Sequence, residues 1–319
     1  MIDQLKDKDQ IKSLFIASSV QMLTDRNGKH YLSLTLSDSS GSLNGRLWDK
    51  AEELGRNIQS GDFVEVKGHA QLYQNRLQVV IHDLKKTQLG DNDLRDFVPK
   101  SKADSKELIA QLFTMISEIK DPHIRQLLEA SLNDDEIREL LMMAPAAKTI
   151  HHAYMGGLLE HIVSICGVMK GLAAHYTFLN LDYLIFGAIF HDLGKTQELK
   201  VEDGIKYTDV GRLVGHMGIA TNIIESKSQK ILGFPEELKN LLKHIVYSHH
   251  GRLEYGSLKT PAFPEAFVVA MIDDLDSKLN TMVEFMKEEM GSGEKWTRYH
   301  QGFDRYFFLD VLRHKMAES

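Results

Sequence analysis

Between residues 14 and 87, apolar and polar positions alternate over short runs: FIASSVQMLTD, HYLSLTLSD, LNGRLWD, DFVEVKGHAQLY and RLQVVIHDLKK. A period of two buries one face of a strand and wets the other, so these runs predict five β-strands. Turn-forming clusters separate them: Asp25-Arg26-Asn27-Gly28, Asp38-Ser39-Ser40-Gly41, Ser60-Gly61-Asp62 and Gln74-Asn75. The polar run KAEELGRNIQ after Trp48 predicts a helix between the third and fourth strands.

The pattern then changes period. From Ser105, which is expected to cap a helix, apolar Leu108, Ile109, Leu112, Phe113 and Ile116 return at i, i+1, i+4, i+5 and i+8. Further helical stretches are predicted at 122–131, 134–142, 155–175, 182–193, 214–231, 236–248, 264–290 and 300–315. Five strands with a helix after the third match a small Greek-key barrel of the OB type. The expected fold is therefore multidomain, a small all-β OB barrel followed by an all-α domain. The barrel is placed at 1–87, a polar linker carrying Gly90 and Pro99 at 88–104, and the helical domain at 105–319.

Composition agrees with two soluble domains: 319 residues, 43 % hydrophobic and 26 % charged. The single cysteine, Cys166, excludes a disulfide framework and any cysteine-based metal site. The longest nearly unbroken apolar run, Tyr183 to Phe190, is far short of the roughly 20 residues of a membrane span. The N-terminal MIDQLKDKDQIK is charged and carries no apolar leader. A cytoplasmic protein without a membrane partner is expected. The net charge of −7 argues against a generally basic nucleic-acid coat, but residues 1–90 carry +1 and the remainder −8. Twelve of the 15 histidines lie in that acidic remainder, which suggests divalent metal, because His and carboxylate are its usual ligands.

Two adjacent His-Asp pairs occur, His82-Asp83 and His191-Asp192, where chance alone predicts about one. The first ends a predicted strand and reads as coincidence. The second ends an apolar helix, DYLIFGAIFHDLGK, with Gly194 where a helix C-terminus favours a left-handed residue. Upstream lies HHAYMGGLLEHIVSI with His161. Downstream lie VGHMGIA with His216, VYSHHG with His249 and His250, and AMIDDLDSKLN with Asp273, Asp274 and Asp276. The order H … HD … H … HH … D on successive helices resembles the HD superfamily of phosphohydrolases, and HDLGK is one of its usual spellings.

That resemblance implies His161, His191, Asp192 and one of the three final aspartates as core ligands, within a metal-site core at 149–290. Asp273 is preferred because it follows the apolar run and aligns with the first Asp of the family's AD-x-x-D. His216, His249 and His250 match the extra ligands of two-metal members. Neutral nitrogen with hard oxygen suits Mn, with Co, Fe, Mg or Zn as alternatives. Asp192 can bridge two ions, and ions roughly 3.5–4 Å apart can activate water and stabilise both oxygens of a displacement at phosphorus. Lys195 is placed to meet a phosphate oxygen or assist the leaving group. Asp192 and Lys195 are thus the catalytic candidates, and Asp192→Asn is expected to remove turnover while changing folding little.

On the barrel, Tyr31, Trp48 and Tyr73 are candidates for base stacking, with Arg46 and Arg76 for the backbone. The barrel, connector and HD motifs spelled HHAYMGGLLEH … FHDLGK … GH … SHHG … IDDLDSK together resemble the YhaM family of bacterial 3′→5′ exoribonucleases, over nearly the whole chain. Membership implies a metal-assisted hydrolase acting on single-stranded RNA, sometimes single-stranded DNA, that releases nucleoside monophosphates. A homo-oligomer is compatible with this. An HD-type nucleotide or cyclic-dinucleotide phosphohydrolase competes, but a small substrate needs no strand-binding barrel. A non-catalytic nucleic-acid-binding protein is disfavoured by the complete ligand set.

Overall fold

The structure is a computed structural model and describes residues 1–25, 28–38, 40–73, 76–87, 101, 103–147, 154–202 and 204–318. Most of the expected linker, together with His151 and His152, lies outside these residues. Five strands close a barrel in the order β1-β2-β3-β5-β4: β1 (Gln10–Thr24), β2 (His30–Asp38), β3 (Gly41–Leu47), β4 (Phe63–Tyr73) and β5 (Arg76–Lys86). Parallel pairing of β3 with β5, Asn44 opposite Gln78 through Leu47 opposite Ile81, provides the closure. Inward residues such as Phe15, Leu32, Leu34, Leu36, Val64, Val66 and Ile81 form the barrel core. The strand β1 begins earlier than alternation indicated, because Gln10–Leu14 pair with His69–Glu65 of β4 despite their largely polar side chains. The intervening helix α1 (Ala51–Gly55) is shorter than the run that predicted it.

The helical part contains α2 (Ser105–Ser117), α3 (Pro122–Leu132), α4 (Asp135–Met143), α5 (Gly157–His175), α6 (Leu181–Phe190), α7 (Lys195–Glu198), α8 (Asp209–Ser228), α9 (Glu236–Ser248), α10 (Pro264–Glu289) and α11 (Asp310–Glu318). Side-chain caps start several of them. Asp104, rather than Ser105, caps α2 by accepting from the Lys106 amide, and Asp121, Asp134, Asn180 and Thr208 do the same for α3, α4, α6 and α8. A hairpin, β6 (Leu199–Glu202) with β7 (Gly204–Tyr207), interrupts the expected all-α pattern. Its apolar positions, Leu199, Val201, Ile205 and Tyr207, alternate over only four residues per strand.

By length and composition α5 could cross a membrane, although Glu160, His161 and Lys170 interrupt its apolar run. Leu158, Leu159, Ile162, Ile165 and Met169 instead place its apolar face in the helical core. Gly187 on α6 permits close packing: a Cβ there would lie 2.5 Å from Val269 and 2.9 Å from Ile245 side-chain carbons. This brings α6 against α9, which leads into His249 and His250, and α10, which carries Asp273.

The contacts divide the chain into Met1–Pro99 with Leu279–Ser319, and Lys100–Lys278. This division differs from the single helical domain expected over 105–319. From Leu279 onward the chain groups with the barrel's unit, and Phe285, Met286, Phe307 and Leu309 form a small core apart from the main helical one. The helix expected over 300–315 is also shorter. Left-handed Asp304 breaks it, and short bridges pair Trp296 with Phe308 and His300 with Arg305 before α11 begins.

Candidate metal centre and nucleic-acid interface

Three elements of the helical unit bring one side-chain cluster together. His161 lies on α5, His191 and Asp192 follow α6, and Asp273 lies on α10; their ligand atoms fall within 4.8 Å of one another. His216 of α8 and His249 and His250 after α9 form a second group under the same limit. Asp192 faces both. Its Oδ2 lies 3.4 Å from His191 Nε2, while its Oδ1 lies 3.6 Å from His216 Nε2 and 3.7 Å from His249 Nε2. Asp273 Oδ1 lies 3.2 Å from His161 Nε2 and 3.6 Å from His191 Nε2.

Each histidine has its Nδ1 engaged. His191 Nδ1 donates to the Gly187 and Ala188 carbonyls, His249 Nδ1 to Val246 at 2.7 Å, and His250 Nδ1 to Tyr255 at 3.0 Å. Carboxylates perform this role for the other two: Asp276 for His161 at 2.8 Å, and Glu198 for His216 at 3.2 Å. An Nδ1 that donates leaves Nε2 as the lone-pair nitrogen, the arrangement of a metal-bound imidazole. Among the described residues, Nε2 of His191, His216 and His249 and Oδ1 of Asp192 are buried without a hydrogen-bond partner. Buried acceptors left unpaired are costly, and here they converge, so the donor set fits divalent ions.

The charges agree. Burial favours the neutral forms of Asp192 and Asp273, but neighbouring Lys195 and His191 for the first, and His191 and His161 for the second, hold both carboxyls well below the usual range. Burial also works to lower His191, yet Asp192 and Asp273 outweigh it and hold the ring up at about 10. In His249 burial prevails and pushes the ring down to about 3, leaving a neutral nitrogen. Lys195 Nζ donates to Asp192 Oδ2 at 2.6 Å and to the Ala146 carbonyl at 2.7 Å.

Two glycines shape the backbone here. Gly215 (φ 74°, ψ 160°) breaks α8 directly before His216, and the His216 amide then donates to Glu198. Gly194 is right-handed (φ −63°), contrary to the expected left-handed cap. Its missing side chain serves close approach: a Cβ would sit 2.0 Å from the His216 carbonyl oxygen.

The barrel presents a separate outward surface. Tyr31 and Trp48 stack with centroids 4.4 Å apart, and the Arg46 guanidinium lies 6.0 Å from the Trp48 ring and 5.7 Å from that of Tyr73. Trp48 is half-buried and lies outside the barrel core. Arg76 sits opposite Tyr73 at the β4–β5 end.

Comparison with known proteins follows the same division. An OB-fold nucleic acid binding domain family matches residues 16–87, and the HD domain family matches 158–278. A 3′-5′ exoribonuclease YhaM from Halalkalibacterium halodurans is 33 % identical over 94 % of this chain and 93 % of its own length. The chain belongs to the YhaM family of 3′-5′ exoribonucleases. As a YhaM-family protein with an HD domain, it is a metal-dependent hydrolase of phosphodiester bonds. Among solved structures, similarity is found to the second OB-fold domain of replication protein A from Methanococcus maripaludis (19 % identity, 28 % of this chain and 95 % of that one, TM-score 0.24). The mitochondrial single-stranded DNA binding protein Rim1 of S. cerevisiae is matched at 19 % identity over 27 % of this chain and 99 % of its own, with TM-score 0.24.

In this YhaM-family chain the three final aspartates take distinct places. Asp273 joins the cluster, Asp276 holds His161 and Ser164 Oγ, and exposed Asp274 pairs with Lys278. His82 and Asp83 lie on the barrel, bonded to His69 and Lys67. Sequence reading missed Glu198 and the orienting role of Asp276. Glu198 carried no signal, whereas Asp276 stood one helical turn beyond Asp273 and on the same face.

Proposed function

We propose that this chain is a two-metal 3′-5′ exonuclease of single-stranded RNA that releases nucleoside 5′-monophosphates, with Mn²⁺ the favoured ion and the cytoplasm its place of action. Single-stranded DNA is the alternative strand. The observation that carries the reading is the division of Asp192, whose two oxygens face two separate nitrogen-rich groups. His161, His191 and Asp273 with Asp192 would hold one ion; His216, His249 and His250 with Asp192 would hold the other. Bound there, the ions supply Lewis-acid charge to the attacking and leaving oxygens of a phosphodiester.

The chain's own groups do the rest. Asp276, Glu198 and the Gly187, Ala188 and Val246 carbonyls fix the imidazole planes, so that no reorientation is needed when ions or substrate arrive. Lys195 keeps Asp192 charged and lends positive charge beside the reacting phosphate. Tyr31, Trp48, Tyr73, Arg46 and Arg76 hold upstream nucleotides, by stacking and by pairing with phosphate. The YhaM relative supports the direction of attack.

The test uses full-length protein, stripped with chelator and then given Mn²⁺. A 5′-labelled single-stranded RNA should give a descending ladder, and a 3′-labelled one should release mononucleotide at once. Early internal fragments or efficient cleavage of a circular RNA would overturn the exonuclease reading. Turnover of a cyclic dinucleotide with no strand cleavage would overturn the substrate class.

A further inference from the structure

The barrel carries a second built feature beside its stacking pair. In the β4–β5 ladder, Lys67 pairs with Asp83 and Gly68 with Ile81, which leaves His82 as the extra residue of a β-bulge. A bulge re-aims a side chain that regular alternation would send elsewhere. Position 68 admits only glycine, since a Cβ there would lie 2.2 Å from the Val80 carbonyl oxygen. The bulge turns His82 onto His69: His69 Nδ1 and His82 Nε2 are 2.9 Å apart, and the rings stack at 5.0 Å. His82 is exposed and His69 half-buried.

The β3–β5 register ends at Leu47 opposite Ile81, both buried; Trp48 follows directly after β3 and His82 continues β5, at the same end of that ladder. The Asp49 carboxyl is lowered by its bond and charge interaction with Lys29 and also feels the charge of His82. The surrounding charges are largely paired: Lys67 with Asp83, and Lys29 with Asp49, while β1 sets Gln10 opposite His69 and Lys12 opposite Lys67.

We propose that His69 and His82 form a phosphate-contact site that extends the strand track of the barrel from Tyr31 and Trp48 across β5 to β4, and that it engages an internucleotide phosphate of single-stranded RNA. One ring donates to the other, which fixes both, and the accepting ring carries its own N–H on its second nitrogen, outside the mutual bond, where a phosphate diester oxygen can accept. This contact is made to phosphate, whereas Tyr31 and Trp48 engage the bases by stacking. This inference rests on the barrel being the strand-binding surface.

The experiment measures dissociation constants of full-length protein for a fluorescent single-stranded oligoribonucleotide over a series of salt concentrations. Chelator is present to prevent turnover. The double variant His69→Ala with His82→Ala should bind about fivefold more weakly than wild type, the effect of one lost hydrogen bond. His82→Lys, which sets a fixed charge at the same place, should bind more tightly, with a salt slope steeper by about 0.7. Trp48→Ala should weaken binding by loss of stacking. A double variant that binds as wild type, while Trp48→Ala weakens binding, overturns the histidine site alone. A Trp48→Ala protein that binds as wild type overturns the strand-binding reading beneath it.

Discussion

Asp192→Asn preserves side-chain volume and removes one charge from a site where Asp192 is 2 % exposed. In metal-free protein two cations depend on that charge. Lys195 Nζ sits 2.6 Å from Asp192 Oδ2 and would be left with only the Ala146 carbonyl. His191, held up at about 10 by Asp192 and Asp273 against its burial, would lose the first of these supports. Breaking a buried ion pair from one side costs about 3–5 kcal/mol. Part is recovered because His191 can shed its proton, which places the expected loss at the lower end, about 3 kcal/mol. For a unit of this size, at 2–4 °C per kcal/mol, the melting temperature should fall by roughly 6–12 °C. The sequence alone suggested little effect on folding; the depth of the pair changes that expectation. The assay is thermal unfolding in chelator at pH 7 for wild type, Asp192→Asn, Lys195→Met and the double variant. The double variant should be less destabilised than the two single losses together, by about 1 kcal/mol or more. Asp192→Asn melting within about 2 °C of wild type, with no coupling to Lys195, would refute the reasoning.

In chelator, His191 contributes stability that is complete below its ordinary value of 6.5 and lost as pH rises through about 10; melting should therefore fall from pH 6.5 to 10, and a rise would contradict the charge assignment. With Mn²⁺ the metal competes with the proton, so the metal-induced rise in melting temperature should grow with pH over the same interval, as melting scans with and without the ion will show. Glu198→Gln leaves His216 Nδ1 without its charged partner and should weaken metal binding by about 10–100-fold; calorimetric titration giving wild-type affinity would remove Glu198 from its orienting role. Gly194→Ala forces a Cβ to within 2.0 Å of the His216 carbonyl oxygen and should destabilise by about 1–3 kcal/mol, which urea unfolding in chelator would detect.

The barrel and the helical core were legible because burial leaves its period in the sequence. Leu32, Leu34 and Leu36 alternate along β2, and Leu108, Leu112 and Ile116 recur along α2. The misreadings fall where the period is short or masked. Gln10 and Lys12 extend β1 with polar side chains that alternation does not score. The hairpin β6–β7 has only four residues per strand, too short a run for alternation to stand out between two predicted helices. The grouping of Leu279–Ser319 with the barrel depends on contacts distant in sequence, which no local pattern encodes.

At the metal centre, what was legible depends on how each imidazole is held. His191 and His249 are the C-cap residues of α6 and α9. The last carbonyls of a helix have no intrahelical donor, so a histidine at that position can give its Nδ1–H to a carbonyl three or four residues back, as both do. Its Nε2 then points beyond the helix end, and no second residue is required. An apolar helix that stops at His-Asp or His-His thus announces an oriented ligand from helix boundaries alone. His161 lies inside a helix, where the carbonyls behind it are already bonded. His216, however, starts the second half of α8 after the break at Gly215, with its amide turned to Glu198 and no helical turn behind it to accept. Both need an acid from another element, and the sequence places those acids 115 and 18 positions away, at Asp276 and Glu198. Sequence motifs therefore reach the atoms that would face the ions, whereas the groups that aim two of them emerge only when α5 meets α10 and when α8 is broken at Gly215.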